Sequence, residues 1–497
     1  MKRNIVSKLL VGTISASLVF AGCGSAETAS TEEEVTTTEN TAEAATQTTT
    51  EVTAGPARED ITVNETIECT DDSTHAIEVS GSSESYSNVE VIKTGDSDQG
   101  DEADFYGDNA AIFATDGATL DLSNIVVDTN GTHANGVFSY GEGTTVNIAD
   151  SYITTAGNCS GGLMTTGGGT MNATNLTIET SGNSSAAIRS DRGGGTVNVT
   201  GGSYTTSGTG SPVIYSTADI TVSDATLTST ASQGVVVEGN NSATLNNVII
   251  NADNNTKNSD NSDYYQAVMI YQSMSGDADD GVAEFSLTDS NLTNENGDIF
   301  FITNTVATIN LENSQIVNND SEGILLRAAA AGWGSEGSNG GQVDVYATSQ
   351  TLEGDMVVDD VSAMNLYLDD SSTYTGAINS DGQAGDVYVE LADGATWTLT
   401  GDSYVTSLTC DADSINLNGY KLYVNGTEYT EGSESTGEAI TLESASGSGA
   451  PDGMPGGQAP DGEAPEGAPS GEAPSGEAPS GEKPEGAPSG EAPDAKN

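Results

Sequence analysis

Two carboxylates, Asp191 and Glu238, and two guanidinium groups, Arg189 and Arg327, are the side chains of this 497-residue chain best suited to acid–base or carboxylate chemistry. Asp191 and Glu238 are 47 residues apart, two units of a repeat that recurs along the middle of the chain. Stacked coils would separate their backbones by about 10 Å, near the spacing of an inverting carboxylate pair, with Arg189 placed to hold an acidic sugar between them. Phe138, Tyr140, Tyr271 and Phe300 offer aromatic faces that bury sugar C–H surface, and Arg189 and Arg327 are cations able to grip a carboxylate bidentately. Asp277, Asp279 and Asp280 are spaced closely enough to suit Ca²⁺, although the chain has neither an EF-hand loop nor a Gly-Gly-x-Gly-x-Asp run. No other cofactor is expected. His75 and His133 fall in separate polar turns with no Cys or Ser spaced for a triad, and they read as surface residues. Cys69 and Cys410 follow inward strand alternation and read as small buried hydrophobes, whereas Cys159 sits in a turn.

The elements that must position these groups are short strands in a repeat. Apolar tetrads such as Ala111-Ile-Phe-Ala, Gly136-Val-Phe-Ser, Gly162-Leu-Met-Thr, Ala187-Ile-Arg-Ser and Pro212-Val-Ile-Tyr recur at intervals of 22 to 26 residues, with two longer intervals of 33 and 31. A second strand keeps step with the first, as in Leu120, Leu122 and Val127, then Val146, Ile148 and Ile153. Two columns repeating together mean a solenoid. The connections are Thr, Ser, Asn, Asp and Gly, which disfavour the helical backs of leucine-rich repeats and favour turns. The reading is an all-β parallel β-helix over residues 61–430, of about fourteen coils at 4.8 Å each.

Counting outward from Ile112, Val137 and their equivalents puts Phe113, Phe138, Met164, Arg189, Ile214, Val236, Met269, Phe300 and Leu325 on the outer face. So apolar an outer face is either a groove for a glycan or peptide, a surface covered by long loops, or a sign that the side-chain phase is reversed. Insertions at Asp96 to Asn109, Asn251 to Gln266, Gln272 to Glu284 and Ala328 to Gln342 flank it.

The solenoid resembles the pectin-lyase-like, adhesin-type proteins of bacterial surfaces, and Trp397 to Leu408 looks like the late coils of autotransporter-type passengers. The resemblance implies a right-handed coil and no particular reaction. The Asn-Thr-Asp, Asp-Asp, Gly-His-Gly and Arg-Ile-Lys set of the related polygalacturonases is absent, and the solenoid holds few of the Lys and Arg residues on which its lyases rely.

The ends bear on location. Met1-Lys-Arg, Lys8 and the apolar run Leu9 to Phe20 read as a secretory signal over 1–22. It ends in Leu18-Val-Phe-Ala-Gly-Cys23, which resembles a bacterial lipobox and implies acylation of Cys23, with Phe20 where that family usually has Leu. Residues 23–60 read as an acidic Ser/Thr/Glu spacer, and 431–497 as a disordered tail holding ten of the twelve prolines. The net charge of −63 becomes −66 once the signal and its three cations are removed, which excludes nucleic acid as a partner. The expected function is a lipid-anchored binding or display protein on the outer face of the bacterial cytoplasmic membrane, adhesin-like, with a glycan or surface protein as partner. The alternative is a polysaccharide lyase or hydrolase.

Overall fold

A computed structural model describes residues 52–443, apart from 274, 323, 383 and 384. The signal, Cys23 and most of both end segments lie outside the described residues. Nearly all of the regular structure described is strand, and the ladders are parallel, as the repeat requires, apart from an antiparallel pair of Leu422–Val424 with Thr427–Glu428 at the C-terminal end. Eleven strands, from Ile77–Ser80 to Asp355–Val358, form one continuous front sheet. The same column continues through Ile378, which pairs with Met356, then Ser403–Val405 and Leu422–Val424, giving fourteen levels. The remaining two faces merge into a 21-stranded sheet, because Gly169–Thr180 and Gly195–Thr206 run through the corner between them without a break, and in the last coils one face becomes a separate four-stranded sheet from Thr351–Glu353 to Ile415–Asn416.

Each corner has a local reason. Between the two merged faces the chain must turn through the left-handed region, and Asn88, Asn124, Asp150, Asn175, Asp224, Asn247, Asp289 and Asn313 all take positive φ there. Asn and Asp tolerate that region best among residues with a Cβ. Stacking lets their side chains bond from coil to coil, as Asn175 Nδ2 does to Asp150 Oδ1 at 2.6 Å. At the corner before the front sheet, Gly131, Gly157, Gly182 and Gly208 stack so tightly that a Cβ on any of the last three would lie 1.8 Å from the carbonyl oxygen of the glycine below. Three residues on, Ser160, Ser185 and Ser211 form a buried ladder in which the Ser160 and Ser185 N–H groups each donate to the next serine Oγ at 2.9 Å.

The stacked glycines also set the register of the front sheet. Val137, Leu163, Ile188 and Ile214 each follow their glycine by six residues, and they pair in that order. The inward residue at the fourth of these levels is therefore Ile214, and Tyr215, not Ile214, faces outward. A second slip occurs where the run Ile299-Phe-Phe-Ile is apolar in both phases. Val268 pairs with Phe300, and Phe300 with Leu326, so Phe300 faces the coil interior at 1% exposure and meets Phe285 edge to face. Phe301 and Arg327 are the outward residues. The interior is one unbroken cluster from Ile77 to Leu422, and each large side chain in it contributes about 1.5–3 kcal/mol by leaving water.

Both ends of the solenoid reach further than the strand pattern implies. In the expected spacer, Pro56 O accepts from Thr177 Oγ1 at 2.8 Å, and Arg58 pairs with Glu90 and Asp128 at 2.7 and 2.6 Å. In the expected tail, Ser435 pairs antiparallel with Cys410, and Ile440 N donates to Asn365 Oδ1 at 2.9 Å. No helix among the described residues is long and apolar enough to cross a membrane.

Candidate functional site

The outer face of the front sheet carries two apolar patches with a charged row between them. The first is Ala110, Phe113, Phe138 and Met164, bordered by Tyr140; the second is Val236, Met269, Phe301 and Ala329, bordered by Tyr215, Tyr271, Ala331 and Trp333. Both are separate from the coil interior, so these outward side chains are buried by the insertions and not by the core. Over the first patch lies the short helix Asp101–Tyr106, pinned where Thr166 Oγ1 donates to Phe105 O at 2.7 Å. Phe138 is fully covered there, and Tyr140 is half-buried against Phe113 and Tyr106. Neither forms a platform for a ligand.

The charged groups of this face are internally paired, Arg189 between the patches and Arg327 on the strand after Phe301. Arg189 donates to Asp104 Oδ2 at 3.1 Å and to Asp191 Oδ2 at 2.8 Å, and Arg327 donates to both oxygens of Asp298 at 2.7 and 3.2 Å. The two cations expected to grip a ligand carboxylate thus hold carboxylates of the protein itself. Burial pushes Asp191 up to about 6 against the pull of Arg189. Asp104 goes the other way: burial opposes it, but Arg189 and the His133 hydrogen bond hold it below the ordinary carboxylate range. His133 is not a surface residue. It is 7% exposed with Nδ1 3.1 Å from Asp104 Oδ1, because the inserted helix, invisible to the repeat pattern, folds over its turn. His75 is partly buried and stacks on Phe113 at 4.5 Å. Cys410 is buried, as alternation implies, whereas Cys69 in the first coil is only partly so.

Two adjoining hollows, each about 270 Å³, open between the patches and share Gly210, Pro212, Tyr215, Asn258 and Tyr271. One is walled by Asp104, Arg189, Asp191 and Asp277. The other is walled by amides (Gln233, Asn254, Asn261, Gln266), hydroxyls (Ser232, Thr256, Ser262) and the rings of Tyr264, Tyr265, Tyr271 and Trp333. Tyr271 and Trp333 meet edge to face at 5.2 Å. The insertions brace one another here, with Gly332 N donating to Asn261 O at 2.6 Å and Arg192 bonded to Asp277 at 2.9 Å.

Glu238 lies at this junction but behind it. It is 1% exposed, its Oε2 accepts the hydroxyls of Tyr215 and Tyr271, and its Oε1 has no hydrogen bond. Burial pushes its carboxyl up, against the Ser273, Tyr215 and Tyr271 hydroxyls that favour the charged form. Asp191 reaches the hollow, whereas Glu238 meets it only through the two tyrosines. Asp277 is taken by Arg192, and Asp277, Asp279 and Asp280 contribute to no set of three convergent metal-ligand atoms among the described residues.

Of the side chains expected to bind, Tyr271 lines both hollows, Arg189 lines one as a paired group, and Phe138, Tyr140, Phe300 and Arg327 line neither. Strand alternation did not single out Tyr215, and Tyr264 and Trp333 stand in insertions that carry no period. The offset of six residues from the stacked glycine identifies Tyr215 as outward; nothing comparable marks the other two. No protein-family model matches the chain, and no curated protein and no solved structure matches it.

Proposed function

We propose that this chain is a cell-surface binding or display protein whose front-sheet groove takes an uncharged glycan. The observation that carries the reading is the wall of the amide-lined hollow, where amides and hydroxyls stand among five aromatic rings. Sugars offer the complement to such a wall: C–H faces for the rings and hydroxyls for the amides. An acidic glycan fits poorly, because Arg189 is occupied, Lys257 in the hollow wall pairs with Asp263, and the surrounding chain is strongly negative. The adhesin-like and lipoprotein aspects rest on the Cys23 lipobox and the solenoid architecture. They support a groove held outside the cell on a tether.

Retention on an array of neutral and acidic glycans tests the ligand class. Neutral glycans should be retained without product, and Trp333→Ala should lower affinity by about tenfold or more while leaving the melting temperature of the coil core unchanged. Retention of acidic glycans alone would overturn the reading. A hydrolase is favoured by one feature, the elevated Asp191 carboxyl in the hollow; turnover abolished by Asp191→Asn would establish it in place of binding. Metabolic labelling with a palmitate analogue tests the anchor, and label retained in Cys23→Ala would refute acylation at that thiol.

A further inference from the structure

His133 and Cys159 occupy the same place in successive coils. Each stands two residues after a stacked glycine, Gly131 and Gly157, and each takes a left-handed φ, 57° and 55°. His133 N donates to Asn158 O at 2.9 Å and Cys159 N to Asn183 O at 2.8 Å, so the two residues sit one coil above the other. Elsewhere in this column the residue is Ser73, Ser97, Ser184 or Gly210, none of which ligates metals well. The helix Asp101–Tyr106 adds Asp104 from the side. A ring nitrogen of His133, a carboxylate oxygen of Asp104 and Sγ of Cys159 all lie within 4.8 Å of one another, and no other group of three such ligands converges among the described residues.

We propose that Asp104, His133 and Cys159 form a Zn²⁺ site at the edge of the groove, with its fourth position open to water. The claim is independent of the glycan reading. One nitrogen, one sulfur and one oxygen are the ligands this borderline-soft ion takes, whereas Ca²⁺ and Mg²⁺ take oxygen sets. Three protein ligands with an open fourth position is the pattern of sites that present the ion to a substrate. Bond lengths of about 2.0–2.3 Å put the ligands of one tetrahedral Zn²⁺ roughly 3.5 Å apart, so the set closes by shifts on the order of 1 Å.

Supporting contacts of the usual second-layer kind are present. Arg189 Nη1 holds Asp104 Oδ2 at 3.1 Å, leaving Oδ1 toward the histidine, and Asn135 Nδ2 reaches Oδ1 at 3.4 Å. The charges also close. Zn²⁺ and Arg189 bring three positive charges; Asp104, Asp191 and the Cys159 thiolate bring three negative ones. Binding releases the thiol proton to solvent, and the proton that His133 Nδ1 holds against Asp104 passes to Nε2 or, from the imidazolium, to solvent, so that two bonds to the ion replace that hydrogen bond. Asp104 also walls the charged hollow, so the ion would stand where a sugar hydroxyl could meet it.

The test uses the full chain with Cys23→Ser to remove the terminal thiol, kept reduced and titrated with Co²⁺ and then Zn²⁺. A thiolate-to-cobalt charge-transfer band and tetrahedral ligand-field bands should appear at one equivalent and be displaced by one equivalent of Zn²⁺. His133→Ser and Cys159→Ser place in the turn a residue that the column already holds at Ser73 and Ser184. Each should weaken Zn²⁺ binding by more than about 100-fold, since loss of outer partners alone costs 10- to 100-fold. Cys69→Ser and Cys410→Ser should leave it unchanged. Bands that survive Cys159→Ser, or no bands at all, would overturn the site. X-ray absorption of the unaltered Zn²⁺ protein is a second measurement that needs no variant: one sulfur neighbour among nitrogen and oxygen is expected, and a shell without sulfur refutes the proposal.

Discussion

The hydroxyls of Tyr215 and Tyr271 lie 3.1 Å apart although 56 residues separate them in the chain. Both donate to the same oxygen of Glu238, which stands on the coil between theirs. Three stacked levels of one sheet thus place a buried carboxyl under a pair of phenols, and the phenol rings form the floor shared by both hollows.

Glu238→Gln should keep the tyrosine pair in place, because the amide oxygen still accepts and the charge that burial disfavours is gone. Glu238→Ala leaves buried hydroxyls without that acceptor and should destabilise the protein by on the order of 1–3 kcal/mol. Urea unfolding of the two variants at neutral pH checks the difference, and equal losses would contradict the arrangement.

Asp191, raised to about 6 by burial, binds a proton more tightly folded than unfolded. The sign follows: its favourable contribution is full below the unfolded value near 4 and is lost as pH rises through about 6, by on the order of 2–3 kcal/mol. Stability measured from pH 4 to pH 7 should fall across that window, and Asp191→Asn should flatten the fall. A variant with an unchanged slope would show that Asp191 is ionised throughout.

Phe300 and Phe301 are adjacent but serve different layers. Phe300→Ala opens a hole in the coil interior and should cost about 3–5 kcal/mol. Phe301 packs with Met269, Ala329 and the Tyr264 ring, so Phe301→Ala should loosen the groove wall and lower glycan affinity by more than Phe300→Ala does. Binding and melting measured on both variants separate the two effects.

In the serine ladder, Ser185→Ala strips the acceptor from the buried Ser160 N–H and should cost about 1–3 kcal/mol. Gly182→Ala should do greater damage, since its Cβ would meet the Gly157 carbonyl oxygen at 1.8 Å and part the coils. Melting curves that rank the two in the opposite order would contradict the tight stacking at this corner.

The sequence by itself determined the solenoid. Paired apolar columns joined by Thr, Ser, Asn, Asp and Gly connections repeat because successive coils meet the same constraints, so one level predicts the next. It also marked Tyr271 and Asp191 as outward, since strand alternation is strict within a coil whose register is clear. Only the tertiary structure decided the phase at Ile214 and Phe300. Pro212-Val-Ile-Tyr and Ile299-Phe-Phe-Ile are apolar at adjacent positions, so either phase buries enough, and stacking on the neighbouring coil makes the choice. The site was less legible for the same reason. Asp104, Tyr264 and Trp333 come from insertions that have no period, and their contacts with Arg189, Phe301 and Tyr271 exist only because the insertions fold back over one sheet. Periodicity reports what each coil shares with its neighbours; the groove is built from what they do not share.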